Sequence, residues 1–167
     1  MRTLVIGTGA GLILMHTPIP PKTKKLDHPY GDIRAEVAAF LQDRIDVATG
    51  RGVAFEQIVV DPGPDFGKSP AQSIELLADL APYRALGRPV LLAISRKDFV
   101  GALTGRLPHQ RGSGTLGALA AVDLQDRDLI RVHDVAGTVD FLTVRAALRD
   151  GLDGPLEMDD SIRYDPR

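Results

Sequence analysis

The chain has no cysteine and no tryptophan, and aromatic residues make up only 5% of its 167 positions. Without thiols, disulfides and thiolate metal centres are excluded, and the composition suits a reducing cytoplasm. No block of Lys and Arg is long enough to form a nucleic-acid surface, since 20 basic residues stand against 22 acidic ones for a net charge of −2. Any anion site must therefore be local. No apolar run reaches the ~20 residues that a membrane-spanning helix needs. The stretch MRTLVIGTGAGLILMH at residues 1–16 is apolar, but glycines interrupt it and its end is polar. No small-residue cleavage site follows it as in a secretory leader, so it is read as the entry to a core strand. What remains, 44% hydrophobic and 25% charged residues, is ordinary globular composition with enough length for one core.

Four short, mostly aliphatic runs each stop at a polar or charged cluster: LILMH (12–16), IVVD (58–61), VLLAISRK (90–97) and LIRVHD (129–134). Continuous apolar runs of this length fit strands buried on both faces. Helical patterns separate them, at residues 30–50, 69–87 and 114–126, and a fourth follows at 136–151. In the first of these, Ile33, Val37, Phe40, Leu41 and Ile45 recur at near-helical spacing with charges between them. Ser69-Pro70 places a capping serine before a proline at the first helical position, and Gly87 stands where a helix should stop. Strand alternating with helix predicts βα units and a parallel sheet, because parallel neighbours need long crossovers. In such folds the C-terminal ends of the strands build the site. The segment 152–167 has no apolar period and is expected to be loosely ordered.

The polar clusters carry the chemistry. In DPGPDFGK (61–68), Asp61 ends an apolar run and Pro62, Gly63 and Gly67 set a turn. The aspartate either caps its own turn or accepts hydrogen bonds from paired N–H donors of a flat heterocycle. The spacing is wrong for a P-loop. In SRKDF (95–99), Lys97 leaves an apolar strand end and must meet an anion, a carboxylate such as Asp61 or Asp98, or a ligand atom. In RVHD (131–134), Arg131 and His133 are two apart, so on a strand both project from one face. They form either a phosphate clamp or, separately, a paired arginine and a backbone-satisfied histidine. If the strands are parallel neighbours, Asp61, Lys97, Arg131 and His133 meet on one rim. That grouping points to a substrate with a flat ring and phosphate groups.

DPGPDFGK, SRKDF and RVHDV, in that order, together with LMH at 14–16 and Arg111 with Gly114-Thr115 ahead of a helix, resemble the motifs of the dihydropteroate synthase family. The resemblance covers roughly residues 9–150. It implies an α/β fold, the last four βα units of a (β/α)8 barrel with parallel strands, with residues 1–150 forming that half-barrel and 151–167 a tail. It also implies a transferase of folate biosynthesis, joining a dihydropterin diphosphate to 4-aminobenzoate and releasing diphosphate with Mg2+ present. By the same resemblance Asp61 and Lys97 are the catalytic pair, with Asp61 holding the pterin amino edge and Lys97 touching both substrates. Arg131 and His133 bind diphosphate, Phe66 lines the aminobenzoate side, and Met15, Ser95 and Asp98 complete the substrate-binding set. No metal ligand is assigned in this chain, since the family's first-strand asparagine lies outside the sequence.

Departures from the family pattern carry expectations of their own. Ala93 stands where the family has glycine, which narrows the pterin slot. Asp98 stands in place of a serine that seats aminobenzoate, and its carboxylate is expected to repel that anion. TPIPPKTKK (17–25) replaces a methionine and glycine-containing loop. A full barrel takes ~250 residues, so a chain of this length is expected to be a fragment, to pair with a second half-barrel or further copy, or to collapse into an open sheet. The competing functional readings are a non-catalytic pterin binder and a pterin-dependent corrinoid methyltransferase; the SRK and RVHD motifs disfavour the latter.

Overall fold

In the computed structural model, which describes residues 2–19, 28–152 and 154–163, four short strands all pair in parallel. Strand β1 (Leu12–Met15) lies beside β2 (Ile58–Asp61), with Leu12 opposite Ile58 and Met15 opposite Asp61. Strand β3 (Leu91–Leu92) lies beside β4 (Leu129–Ile130). A parallel bridge between Val60 and Val90, with Val60 N donating to Pro89 O at 3.0 Å, joins the two ladders in the order β1, β2, β3, β4. All the strand C-termini therefore point to the same side. The fold is α/β with parallel strands, as the alternating pattern predicts.

The inner strands read as apolar runs because both their faces are covered. Ile58, Val60, Val90, Leu92 and Ile94 are fully buried, and each such side chain contributes roughly 1.5–3 kcal/mol of burial. Ahead of β1 lies α1 (Arg2–Thr8). The first crossover is α2 (Ile33–Thr49), which buries Ile33, Val37, Leu41 and Ile45 on one stripe, at the spacing read from the sequence. Asp32 caps it by accepting from Arg34 N and Ala35 N at 3.0 and 3.1 Å. The second crossover begins at Ser69 with a capping box: Ser69 Oγ accepts from Gln72 N, and Gln72 Oε1 from Ser69 N.

Several elements differ from expectation. The N-terminal apolar stretch opens as helix α1 before the strand starts; Gly9, at φ +70°, ends that helix with its N–H on Val5 O at 3.2 Å. An apolar run this short does not distinguish helix from strand. The pattern at 69–87 divides into α3 (Pro70–Ala78) and α4 (Ala81–Arg84). The break falls at Asp79, whose side chain accepts from Ala81 N at 2.9 Å. An unanticipated helix, α5 (Asp98–Thr104), follows SRK, and α6 spans Gly112–Ala121. The strands β3 and β4 are two residues each, and in the loop after β3 Arg96 sits at φ +58°. Arg131 and His133 thus lie beyond the ladder rather than on a strand face, although Arg131 N still donates to Leu92 O at 3.1 Å.

The chain divides into two compact units, Met1–His133 and Asp134–Arg167. The second contains α7 (Val135–Asp150), capped by Asp134, whose Oδ1 accepts from Gly137 N at 3.0 Å. Among the described residues no helix is long and apolar enough to cross a membrane.

Candidate functional site

Asp61 is the last residue of β2 and is 2% exposed. Its Oδ1 accepts from Gly63 N at 2.8 Å. Burial pushes its carboxyl above the usual range, against the pull of the Gly63 N–H and of the charges of Lys97, Arg131 and Lys68. The turn beyond it needs glycine at 63: φ is +69°, and a Cβ there would lie 2.1 Å from His16 O. The close approach draws the loop after β2 against the end of β1, where His16 N donates to Asp61 O at 3.0 Å.

Lys68 locks this turn from inside. The side chain is 1% exposed, and its Nζ donates to Gly63 O at 2.8 Å, Phe66 O at 3.3 Å and His16 O at 3.4 Å. Burial lowers its pKa to about 7, with Asp61 opposing and Lys97 adding to the fall. Nothing in the sequence reading assigned Lys68 a role. A lysine after two turn glycines reads as solvent-exposed, and only the tertiary fold reveals the converging carbonyls.

Lys97 approaches from the loop after β3. Its Nζ donates to Pro64 O at 3.1 Å and lies 4.3 Å from the centre of the Phe66 ring. Among the described residues it makes no ion pair with Asp61 or Asp98. Its pKa is lowered by burial, with Asp65 and Asp61 pulling it back up. Asp65, at φ +67°, ties the two loops together. Its carboxylate accepts from Ser73 Oγ at 3.0 Å and from Asp98 N, and its own N–H donates to Ser73 Oγ at 2.9 Å.

The SRKD turn is held by Arg111. Its Nη1 donates to Arg96 O at 2.9 Å, to Lys97 O at 3.1 Å and to Asp98 Oδ1 at 3.0 Å. A Cβ at Gly101 would fall 2.3 Å from that guanidinium. Thr115, from α6, takes the Arg96 N–H at 3.0 Å. The Asp98 carboxylate is thus paired, although its side chain remains 73% exposed against 11% for Arg111.

Ser95, His133 and Arg131 complete the group. Ser95 Oγ lies 2.9 Å from His133 Nδ1 and accepts from His133 N at 3.2 Å. Ala93, Ser95, Lys97, Arg131, Val132 and His133 line one open cavity of about 420 Å³. Arg131 makes no ion pair with a carboxylate among the described residues, and the His133 ring meets the Ser95 hydroxyl rather than a backbone group. Another cavity of about 420 Å³, between α3, α5 and α6, is lined by residues such as Leu77, Phe99, Val100 and Ala118 and carries no titratable group.

Met15 lies opposite Asp61 in the ladder and is half-buried. Phe66 is 38% exposed beneath Lys97. The next residue of the β1 end, His16, is packed edge-on against Phe40 at 4.8 Å. Burial, with the charge of Lys68, lowers its pKa to about 3. Of the departing loop TPIPPKTKK, residues 20–25 lie outside the described residues. The fold therefore brings Asp61, Phe66, Lys97, Ser95, Arg131 and His133 to one end of the sheet, while Asp98 turns to Arg111. One buried carboxylate faces cations, beside an open cavity rich in donors. Such a set accepts N–H groups at one point and receives anionic oxygen at the other.

Residues 1–133 match the family described as pterin binding enzyme. The chain belongs to this pterin-binding family. It is 38% identical over 146 residues to dihydropteroate synthase type-2 of Escherichia coli, which covers 86% of this chain and 54% of that protein. With the dihydropteroate synthase of E. coli strain K12 the identity is 36% over 137 residues, covering 82% and 49%. Among solved structures, the Xanthomonas albilineans dihydropteroate synthase in complex with 7,8-dihydropteroate superposes with a TM-score of 0.78 at 42% identity, covering 88% of this chain and 53% of that one. The Yersinia pestis enzyme with a sulfonamide drug gives 0.83 at 32% identity, covering 90% and 55%. The chain spans about half the length of the relatives it matches.

Proposed function

We propose that this chain carries the pterin- and diphosphate-gripping part of a dihydropteroate synthase reaction, the last four βα units of a (β/α)8 barrel. The observation that carries the reading is the shared cavity of Lys97, Arg131 and His133, with Asp61 in electrostatic reach of Lys97 and Arg131. Asp61 accepts from the amino edge of the pterin. Lys97, set over Phe66, faces the junction of the two substrates. Arg131 and His133 hold the diphosphate. The C–O bond between the pterin methylene and diphosphate breaks, the electron pair leaves with the diphosphate oxygen, and the positive side chains stabilise it there. The amine of 4-aminobenzoate then forms the C–N bond to the methylene and releases a proton. The Xanthomonas albilineans enzyme has been crystallised with 7,8-dihydropteroate and with 4-aminobenzoate, which supports this choice of substrates. The lack of cysteine supports a cytoplasmic setting.

Among the described residues no group of three or more His, Asp or Glu side chains is placed to hold a metal ion. Mg2+ therefore stays a proposal drawn from the family resemblance, one that would use the substrate's diphosphate oxygens together with few protein ligands, and no step is routed through it.

Because the chain spans about half of its relatives, a second reading is that this portion binds the pterin diphosphate without turning it over, turnover requiring the residues that the relatives carry in their other half, whether joined in one chain or supplied by a complementing half-barrel. Titration calorimetry with the dihydropterin diphosphate, followed by a diphosphate-release assay with 4-aminobenzoate, separates the two. Binding and release together support the synthase reading for the chain alone. Binding without release, restored when the other half is added, supports the second. Absence of binding in both settings overturns both.

A further inference from the structure

Ser95 is engaged twice by a single residue. Its Oγ accepts the main-chain N–H of His133 at 3.2 Å and lies 2.9 Å from Nδ1 of the same residue. A hydroxyl has one hydrogen to give. With one lone pair filled by the His133 N–H, that hydrogen finds an acceptor among the described residues only at Nδ1. The reverse arrangement, Nδ1–H donating to Oγ, leaves the hydroxyl hydrogen with no partner among the described residues. In a neutral imidazole one nitrogen carries the hydrogen, so acceptance at Nδ1 places it on Nε2.

We propose that Ser95 is a positioning residue that holds His133 as its Nε2–H tautomer, making the imidazole a neutral hydrogen-bond donor to an anionic oxygen in the cavity it shares with Lys97 and Arg131. The identity of that anion as diphosphate rests on the function proposed above; the tautomer does not. In the other tautomer the ring would present the Nε2 lone pair, which repels a phosphate oxygen. Arg131 and Lys97 offer donors only, and His133 in this form adds a third, so every polar group facing the anion has the same sense.

Two-bond nitrogen–proton correlation spectra of the uniformly 15N-labelled full chain, recorded at about pH 8.5, above the ordinary imidazole range, read the tautomer directly. The His133 signals are assigned by their loss in His133→Gln. The expected result is a bare Nδ1 and a protonated Nε2 in the wild type, a mixture of tautomers in Ser95→Ala, and recovery in Ser95→Thr. Affinity for inorganic diphosphate, measured in parallel, should fall about three- to ten-fold in Ser95→Ala and return in Ser95→Thr, the loss of one neutral hydrogen bond. A wild-type ring protonated on Nδ1, or a Ser95→Ala tautomer identical to wild type, overturns the proposal. Neither readout involves the pterin, so failure of pterin binding would strike the proposed function and leave this inference standing.

Discussion

Lys97 rests with its Nζ 4.3 Å from the centre of the Phe66 ring while donating to Pro64 O at 3.1 Å, so one ammonium from the loop after β3 closes over the loop after β2. Its charge is exposed to the cavity but is paired with no carboxylate among the described residues. Lys97→Met keeps the aliphatic contact with Phe66 and removes the charge. Affinity for the dihydropterin diphosphate should fall about ten- to hundred-fold, the range of a hydrogen bond to a charged group, while the thermal transition moves little. Unchanged affinity in a calorimetric titration would remove Lys97 from the site.

Lys68 sets a pH dependence. Its pKa is about 7 in the folded chain against an ordinary lysine value of 10.5. Between those values the unfolded chain holds a proton that the folded chain has shed, so this group makes stability rise as pH increases from about 7 towards 10.5. Lys68→Met abolishes that contribution. Urea unfolding at intervals between pH 7 and 9.5 should give a steeper upward slope in the wild type than in the variant. Parallel slopes would mean that the buried amine stays protonated among its three carbonyls.

Gly63 and Gly105 share nearly the same φ, +69° and +67°, but differ in surroundings. An alanine at 63 meets His16 O, whereas at 105 nothing lies within 4 Å of the added Cβ. Gly105→Ala should cost about 1–2 kcal/mol, the strain of a left-handed residue. Gly63→Ala adds the displaced β1 end and should cost about 3 kcal/mol or more, with weakened pterin binding. Equal melting temperatures for the two variants would contradict the close approach.

What the sequence disclosed was the set of strand-end clusters, because a buried parallel strand must be apolar and its chemistry must then collect where it stops. Asp61, Lys97, Arg131 and His133 were legible for that reason. The rest depended on contacts distant in the chain. Lys68 is buried only because carbonyls from two loops converge on it. Helix α5 was hidden since DFVGALTG carries two glycines, and Gly101 becomes intelligible only when the Arg111 guanidinium is seen against it. The carboxylate of Asp98, which the sequence offers as a partner for the adjacent Lys97, pairs instead with Arg111, thirteen positions on.

That pairing gives Asp98 a testable effect on specificity. Its side chain is 73% exposed, so the ion pair itself contributes little, about 0–1 kcal/mol. Arg111 keeps its bonds to Arg96 O and Lys97 O without it. Asp98→Ser should therefore leave the melting temperature nearly unchanged and raise affinity for 4-aminobenzoate about five-fold, the effect of ~1 kcal/mol of charge repulsion across about 4 Å of water. Binding measured at saturating pterin reads this directly, and an affinity no higher than wild type would show that Arg111 already neutralises the carboxylate.

The central claim is that Asp61 and the cationic rim grip one molecule between them, and the most direct measurement is calorimetric titration of the full chain with dihydropterin diphosphate, beside Asp61→Asn and Arg131→Gln. The account predicts saturable one-to-one binding in the wild type. Asp61→Asn should lose affinity for both the diphosphate and the unphosphorylated pterin, whereas Arg131→Gln should lose it for the diphosphate alone. A wild-type chain that binds neither compound, or two variants that bind both as tightly as it does, would contradict the account.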